Sequence, residues 1–182
     1  MKKNKVVILF LLKFFVVYFL LTGLYSFYLS STQETTSVFA CAPVTNTVSN
    51  HAKWACELLG YDIATYQNPK ELSVTFLVND KIVSKIIEGC TSVSVMILFL
   101  AFIIAFSGTI KNTIWFSVVG LILIYAVNIF RIVFMTLAVY HYPNLSDVLH
   151  DFVFPGIIYG MVFLLWIVWV KKYAIINKKL HG

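Results

Sequence analysis

Charge is what this sequence has least of. Only 12% of its 182 residues are Asp, Glu, Lys or Arg, against about a quarter in soluble domains. Arginine is almost missing, with Arg131 the single one among 14 basic residues. No Gly-rich phosphate loop and no Gly-x-Ser-x-Gly turn occurs, so neither a nucleotide-phosphate cradle nor a serine nucleophile elbow has support. No short Cys/His pairing recurs at zinc spacing. Internal repeats and low-complexity blocks are absent too. What the chain has instead is apolar surface: 60% of residues are hydrophobic, which excludes disorder, coiled coil, collagen and a water-soluble globule. A large soluble enzyme domain does not fit beside the bilayer spans that such a composition demands.

The apolar residues fall into four stretches: Val6 to Leu29, Gly89 to Ile110, Asn112 to Phe130 (continuing through Arg131 to Val139), and Phe152 to Val170. At ~1.5 Å rise per residue each approaches the ~30 Å hydrocarbon core. The expected fold is an all-α multi-pass membrane protein with four transmembrane helices. Spans two and three should pair as an antiparallel hairpin with Lys111 at its tip. The first stretch follows Lys2, Lys3 and Lys5 as a signal peptide would, but it is long for one and lacks a nearby cleavage site. It reads as a retained span with Lys13 snorkelling to the near interface.

Lysine distribution orients the chain, because short cytoplasmic loops collect basic residues. With the N-terminus inside, the inner segments hold nine lysines (Lys2, Lys3, Lys5, Lys13, Lys111, Lys171, Lys172, Lys178, Lys179) and no acid. The outer segments hold Lys53, Lys70, Lys81 and Lys85 with all eight carboxylates, a sum of minus four. Both termini are therefore expected in the cytoplasm. The predicted organisation is an N-terminal span (1–29), an outer segment (30–88), a three-helix membrane core (89–170) and a basic tail (171–182). The basic ends read as topology signals and anionic-lipid contacts, with the lipid bilayer as a partner and nucleic acid not.

The outer segment opens with a Ser/Thr-rich tract, Ser30 to Ser37, which reads as a linker. Val48, Ala52, Ala55, Cys56 and Leu59 then recur at helical spacing, with Thr45 or Thr47 as N-cap and Gly60 as stop, predicting an amphipathic helix. Alternation over Leu72, Val74, Phe76 and Val78, followed by Asn79-Asp80 and Ile82-Val83, predicts a small β-hairpin. Cys41 and Cys56 are either a disulfide pair or two cysteines packed as small apolar residues.

Three residues carry the chemistry. An arginine inside a membrane helix costs about 2.5 kcal/mol or more and usually faces a bundle interior; the bland alternative is an outer-interface Arg131 snorkelling to phosphate. Counted from Ile114, Arg131 lies ~26 Å along its helix, near the outer interface. Asn128, three residues earlier, shares its face and can hydrogen-bond the guanidinium or a partner. Cys90 is expected in the first turn of the second helix, where unpaired N–H groups and the macrodipole favour the thiolate. His150 stands at or just before the start of the fourth helix, and a histidine side chain can serve as acid or base. The predicted topology puts Cys90, Arg131 and His150 near one membrane face, and a nucleophile, a cation and a proton carrier are the parts of thiol acyl transfer. The competing site is a metal held by His51 with Cys56, or by His141 with His150 and Asp151; no metal or other cofactor is expected.

Three segments, Glu88-Gly89-Cys90-Thr91, Asn128-Ile129-Phe130-Arg131-Ile132 and His150-Asp151-Phe152, resemble the exosortases and archaeosortases, most closely the compact exosortase F subgroup. The likeness covers roughly residues 85 to 170. Its motifs depart where many members of that family have Gly two residues after the cysteine and this chain has Ser92; typical members also have more spans than four. The resemblance implies a cysteine protease or transpeptidase in the bacterial inner membrane, active at the periplasmic face. Its partners would be exported proteins with a C-terminal recognition motif, a transmembrane helix and a basic tail. It also implies Cys90 as nucleophile, His150 as proton shuttle and Arg131 as oxyanion or substrate clamp. The alternative is a non-catalytic four-span scaffold or assembly partner.

Overall fold

The computed structural model describes residues 2–35, 38–106, 108–145, 148–149 and 153–173. In chain order the elements are α1 (Lys2–Thr32), α2 (Pro43–Leu58), β1 (Ile63–Gln67), β2 (Val74–Val78), β3 (Lys81–Ile86), a 3-10 turn (Glu88–Thr91), α3 (Val93–Ala105), α4 (Ile110–His141), a second 3-10 turn (Pro143–Leu145) and α5 (Phe154–Lys172). Three helices are long and apolar enough to cross a bilayer: Val7–Thr32, Ile110–His141 and Phe154–Lys172.

The expected second span is shorter than its apolar stretch. Within Gly89 to Ile110 the helix α3 covers the 13 residues Val93–Ala105, a length of ~20 Å, well short of the ~30 Å core. Hydropathy cannot see the cause, which is backbone conformation. Ser92 has φ 62° and ψ 8°, a left-handed geometry that no right-handed helix passes through. At the other end the Nε1–H of Trp169 donates to the Phe106 carbonyl at 3.0 Å, closing the helix end with a side-chain donor. α1 in turn runs past the predicted Leu29. The tract read as a linker begins helical, with the hydroxyls of Ser30 and Ser31 donating to the Phe27 carbonyl and that of Thr32 to Tyr28.

Two compact units make up the chain. One comprises residues 2–26, 93–124 and 159 onward, and its centre is aromatic: Phe99, Ile103, Ile124, Val162 and Trp169 are fully or almost fully buried. Phe102 stacks on Trp166 with ring centroids 4.3 Å apart. Gly120 is required here, since a Cβ at that position would come within 2.2 Å of the buried Phe99 ring.

The other unit, residues 27–92 and 125–158, carries the polar segment. Its sheet is antiparallel in the order β1-β2-β3. The predicted hairpin is β2 and β3, turned by Asn79 and Asp80 at φ 48° and 64°, the two positive angles a tight type I′ connection needs. β1 is an addition that the sequence reading missed. α2 buries Thr45, Val48, Ser49, Ala52 and Cys56, one stripe at helical spacing, in a core shared with Phe76, Val78, Ile132 and Val133. The helix starts at Pro43, ahead of the predicted threonine caps, because proline suits the first helical position. Gly60, at φ 86°, stands just past its end and donates its N–H to the Glu57 carbonyl.

Candidate functional site

Cys90 and Arg131, which the sequence places 41 positions apart, line one cleft of about 200 Å³. Its other walls are β3 (Val83, Ser84, Lys85, Ile86) and the face of α4 that carries Ile132, Met135, Thr136 and Val139. Cys90 and Arg131 are both half-buried, so each is reachable and each is held by packing.

Cys90 does not occupy the first turn of a helix, as the sequence led us to expect. It sits in the four-residue 3-10 turn, its N–H donating to the Ile87 carbonyl at 2.9 Å, and α3 starts three residues later. An extended Ile87 leads into this turn and the left-handed Ser92 leads out. Thiolate stabilisation by the N–H groups of its own α-helix is therefore not the arrangement found. What fixes the turn instead is Asn128. Its amide Nδ2 donates to the Cys90 carbonyl at 2.8 Å, and the side chain is fully buried. Of the two partners expected for Asn128, the guanidinium or another group, the amide donor has the second, the Cys90 main chain. A hydrogen bond in such a dry place is worth most through the penalty of losing it, roughly 1–3 kcal/mol for the group left unpaired.

Ser92 stands at a backbone position that favours glycine. Glycine populates positive φ freely, whereas a side chain there costs about 1–2 kcal/mol. Ser92 keeps the left-handed geometry that a glycine would adopt. Ser92→Gly should thus leave the turn intact and change stability by less than about 1 kcal/mol, since relief of strain offsets the greater freedom of glycine in the unfolded chain. Thermal unfolding of the detergent-solubilised variant measures this, and a loss of several degrees would contradict the strain assignment.

Electrostatically the cleft is cationic on one wall. Arg131 has no carboxylate within ion-pair distance among the described residues. Lys85, by contrast, is paired: its Nζ lies 2.5 Å from Glu71 Oε1. That bond, followed by the one from Ser73, holds the Glu71 carboxyl below its ordinary range. Ser84 and Thr136 join β3 to α4 through their hydroxyls at 3.2 Å.

The other two cysteines are both free and buried in the core, so packing, not a disulfide, is what the structure has. Burial, and next the charge of Glu57, pushes the Cys56 thiol up to about 11; burial alone raises Cys41. Neither is suited to attack a carbonyl at neutral pH. The histidines of the competing metal reading are taken up by tyrosines: His51 Nδ1 is 2.6 Å from Tyr125 Oη, and His141 Nε2 is 2.9 Å from Tyr61 Oη. Among the described residues no three His, Cys, Asp or Glu side chains gather as a metal group would require. His150 and Asp151 lie outside the described residues.

Sequence reading missed Ser84, Lys85 and Thr136 as cleft residues. Their positions along the chain carry no periodic signal, because which strand lies against which helix is decided only by packing. Against known proteins, the family model described as transmembrane exosortase matches residues 5–170. No curated protein and no solved structure matches.

Proposed function

Since the chain belongs to the transmembrane exosortase family, we propose that it is a protein-sorting cysteine protease or transpeptidase that cleaves the C-terminal signal of exported proteins. The observation that carries this reading is the shared cleft: the one half-buried cysteine opens onto the same space as the intramembrane arginine. Cys90 Sγ attacks the scissile carbonyl carbon, forming a tetrahedral oxyanion that Arg131 stabilises. His150 passes the thiol proton to the leaving amine as the C–N bond breaks, and water or an amine then releases the acyl group from the thioester. Four spans, counting α3 as a short one, put both termini in the cytoplasm and the cleft at the periplasmic face of the inner membrane; the lysine distribution supports this side. Within the family, the three matching segments support the exosortase F subgroup. A substrate anchored by its own helix presents its cleavage motif at the outer interface, and confinement to the plane raises its effective concentration.

Two measurements test the reading together. A strain lacking the chain should accumulate exported proteins that retain their C-terminal helix and basic tail. In intact cells a membrane-impermeant alkylating reagent should modify Cys90 and spare the buried Cys41 and Cys56. An inert Cys90 with no precursor accumulating would favour the scaffold alternative.

A further inference from the structure

One wall of the cleft is not used by the catalytic assignment. Val83, Ser84, Lys85 and Ile86 are four consecutive residues of β3, and all four line it. Successive side chains of a strand point to opposite faces, and here Ile86 is buried in the core while Lys85 is exposed. A cavity that touches both faces of one strand runs along the edge of that strand. β3 is the last strand of the sheet. Among the described residues, no backbone hydrogen bond outside the β2 ladder is made by residues 81–86. A register shift opposite Phe76 and Leu77 leaves Val83 as an extra residue, and such bulges bend a strand and occur beside active sites. The edge is short, bulged and flanked by Lys81 and Lys85, which deters pairing with another copy along its full length, yet it shares the cleft with Cys90. Covalent continuity sets the distance: from Ile86 the chain passes through Ile87 directly into the turn that holds Cys90.

We propose that this edge binds the substrate: the segment bearing the scissile bond docks in extended form along β3 as a short fourth strand, its carbonyl delivered to Cys90. The cleft suits that occupant. At about 200 Å³ it cannot take a transmembrane helix, whose body alone is about 10 Å across, whereas an extended peptide needs only the backbone edge and room for a side chain. Strand addition supplies affinity through main-chain hydrogen bonds and leaves specificity to the side-chain pocket beside Arg131. The proposal rests on Cys90 being the nucleophile.

Proline removes one backbone N–H, and neighbouring residues of a strand direct theirs to opposite sides. Of Ser84→Pro and Lys85→Pro, one therefore removes a donor facing the cleft and the other breaks the β2 ladder. Each is compared with alanine at the same position, using cleavage of the precursors that accumulate in the deletion strain, membrane abundance and Cys90 alkylation. The proline variant that keeps abundance and alkylation should lose about tenfold or more in cleavage rate relative to its alanine counterpart, as expected for one or two main-chain hydrogen bonds. Should neither proline variant accumulate, hydrogen exchange decides: residues 81–86 in Cys90→Ala protein should gain protection when precursor is bound. Normal cleavage in the well-folded proline variant, or unchanged exchange, overturns edge docking and leaves the nucleophile assignment standing. Cleavage that persists in Cys90→Ala overturns both.

Discussion

Cys90→Ala is expected to abolish precursor cleavage while the protein remains inserted at its normal level. Removing the attacking atom of a covalent mechanism lowers turnover by about 10⁴-fold or more, and nothing nearby replaces it. Cys41 and Cys56 lie in the core, with Cys56 pushed up to about 11. The fold should tolerate the change. Cys90 packs at the margin of the core rather than within it, so loss of one sulfur costs at most about 1.5 kcal/mol. The bond from Asn128 reaches the Cys90 main-chain carbonyl and survives the substitution. Immunoblots of the substrate alongside the enzyme separate the outcomes: undiminished cleavage would rule out Cys90 as nucleophile, and loss of both bands would point to a structural role.

Arg131→Lys is expected to be nearly as damaging, although it keeps the charge. Lysine offers a compact ammonium in place of a planar fork with five donors, and it cannot hold two oxygens in one plane. Loss of a group that stabilises an oxyanion typically costs about 10²–10³ in rate. A cation there merely to meet lipid phosphate would be replaced by lysine without consequence, so cleavage rates near the unsubstituted level would favour snorkelling. The location argues against that reading: Arg131 lines the cleft together with Cys90. Asn128, one turn earlier on the same helix, is bonded to the turn that carries Cys90. α4 thus presents the guanidinium and the clamp on the Cys90 backbone from adjacent turns, so that a helix rotation disturbs both at once.

Much of this was legible in the residues. The stripe Val48, Ala52, Cys56 predicts α2, and the alternation through Phe76 to Val78 with Asn79-Asp80 predicts the β2–β3 hairpin, because helix and strand expose side chains at different periods. β1 escaped notice since Ile63-Ala64-Thr65-Tyr66-Gln67 has no sustained alternation, and only Ile63 among its residues is buried. The length of the second span was overread for a related reason. Hydropathy counts the uncharged residues 89–92 with the span, but the left-handed Ser92 keeps them out of the helix, which begins at Val93.

The sequence alone determined that this is a membrane protein, which stretches are apolar enough to span, and which side chains are chemically out of place among them. Those are additive properties: transfer free energy and residue type are summed along the chain without regard to neighbours in space. Tertiary structure alone decided that Cys90 lies in a 3-10 turn rather than an α-helix, which partner Asn128 takes, and that four consecutive residues of β3 line the cleft. Each depends on a single contact or dihedral angle between segments distant in sequence, and the energy that selects it, one hydrogen bond or one left-handed residue, leaves no periodic trace in the residues themselves.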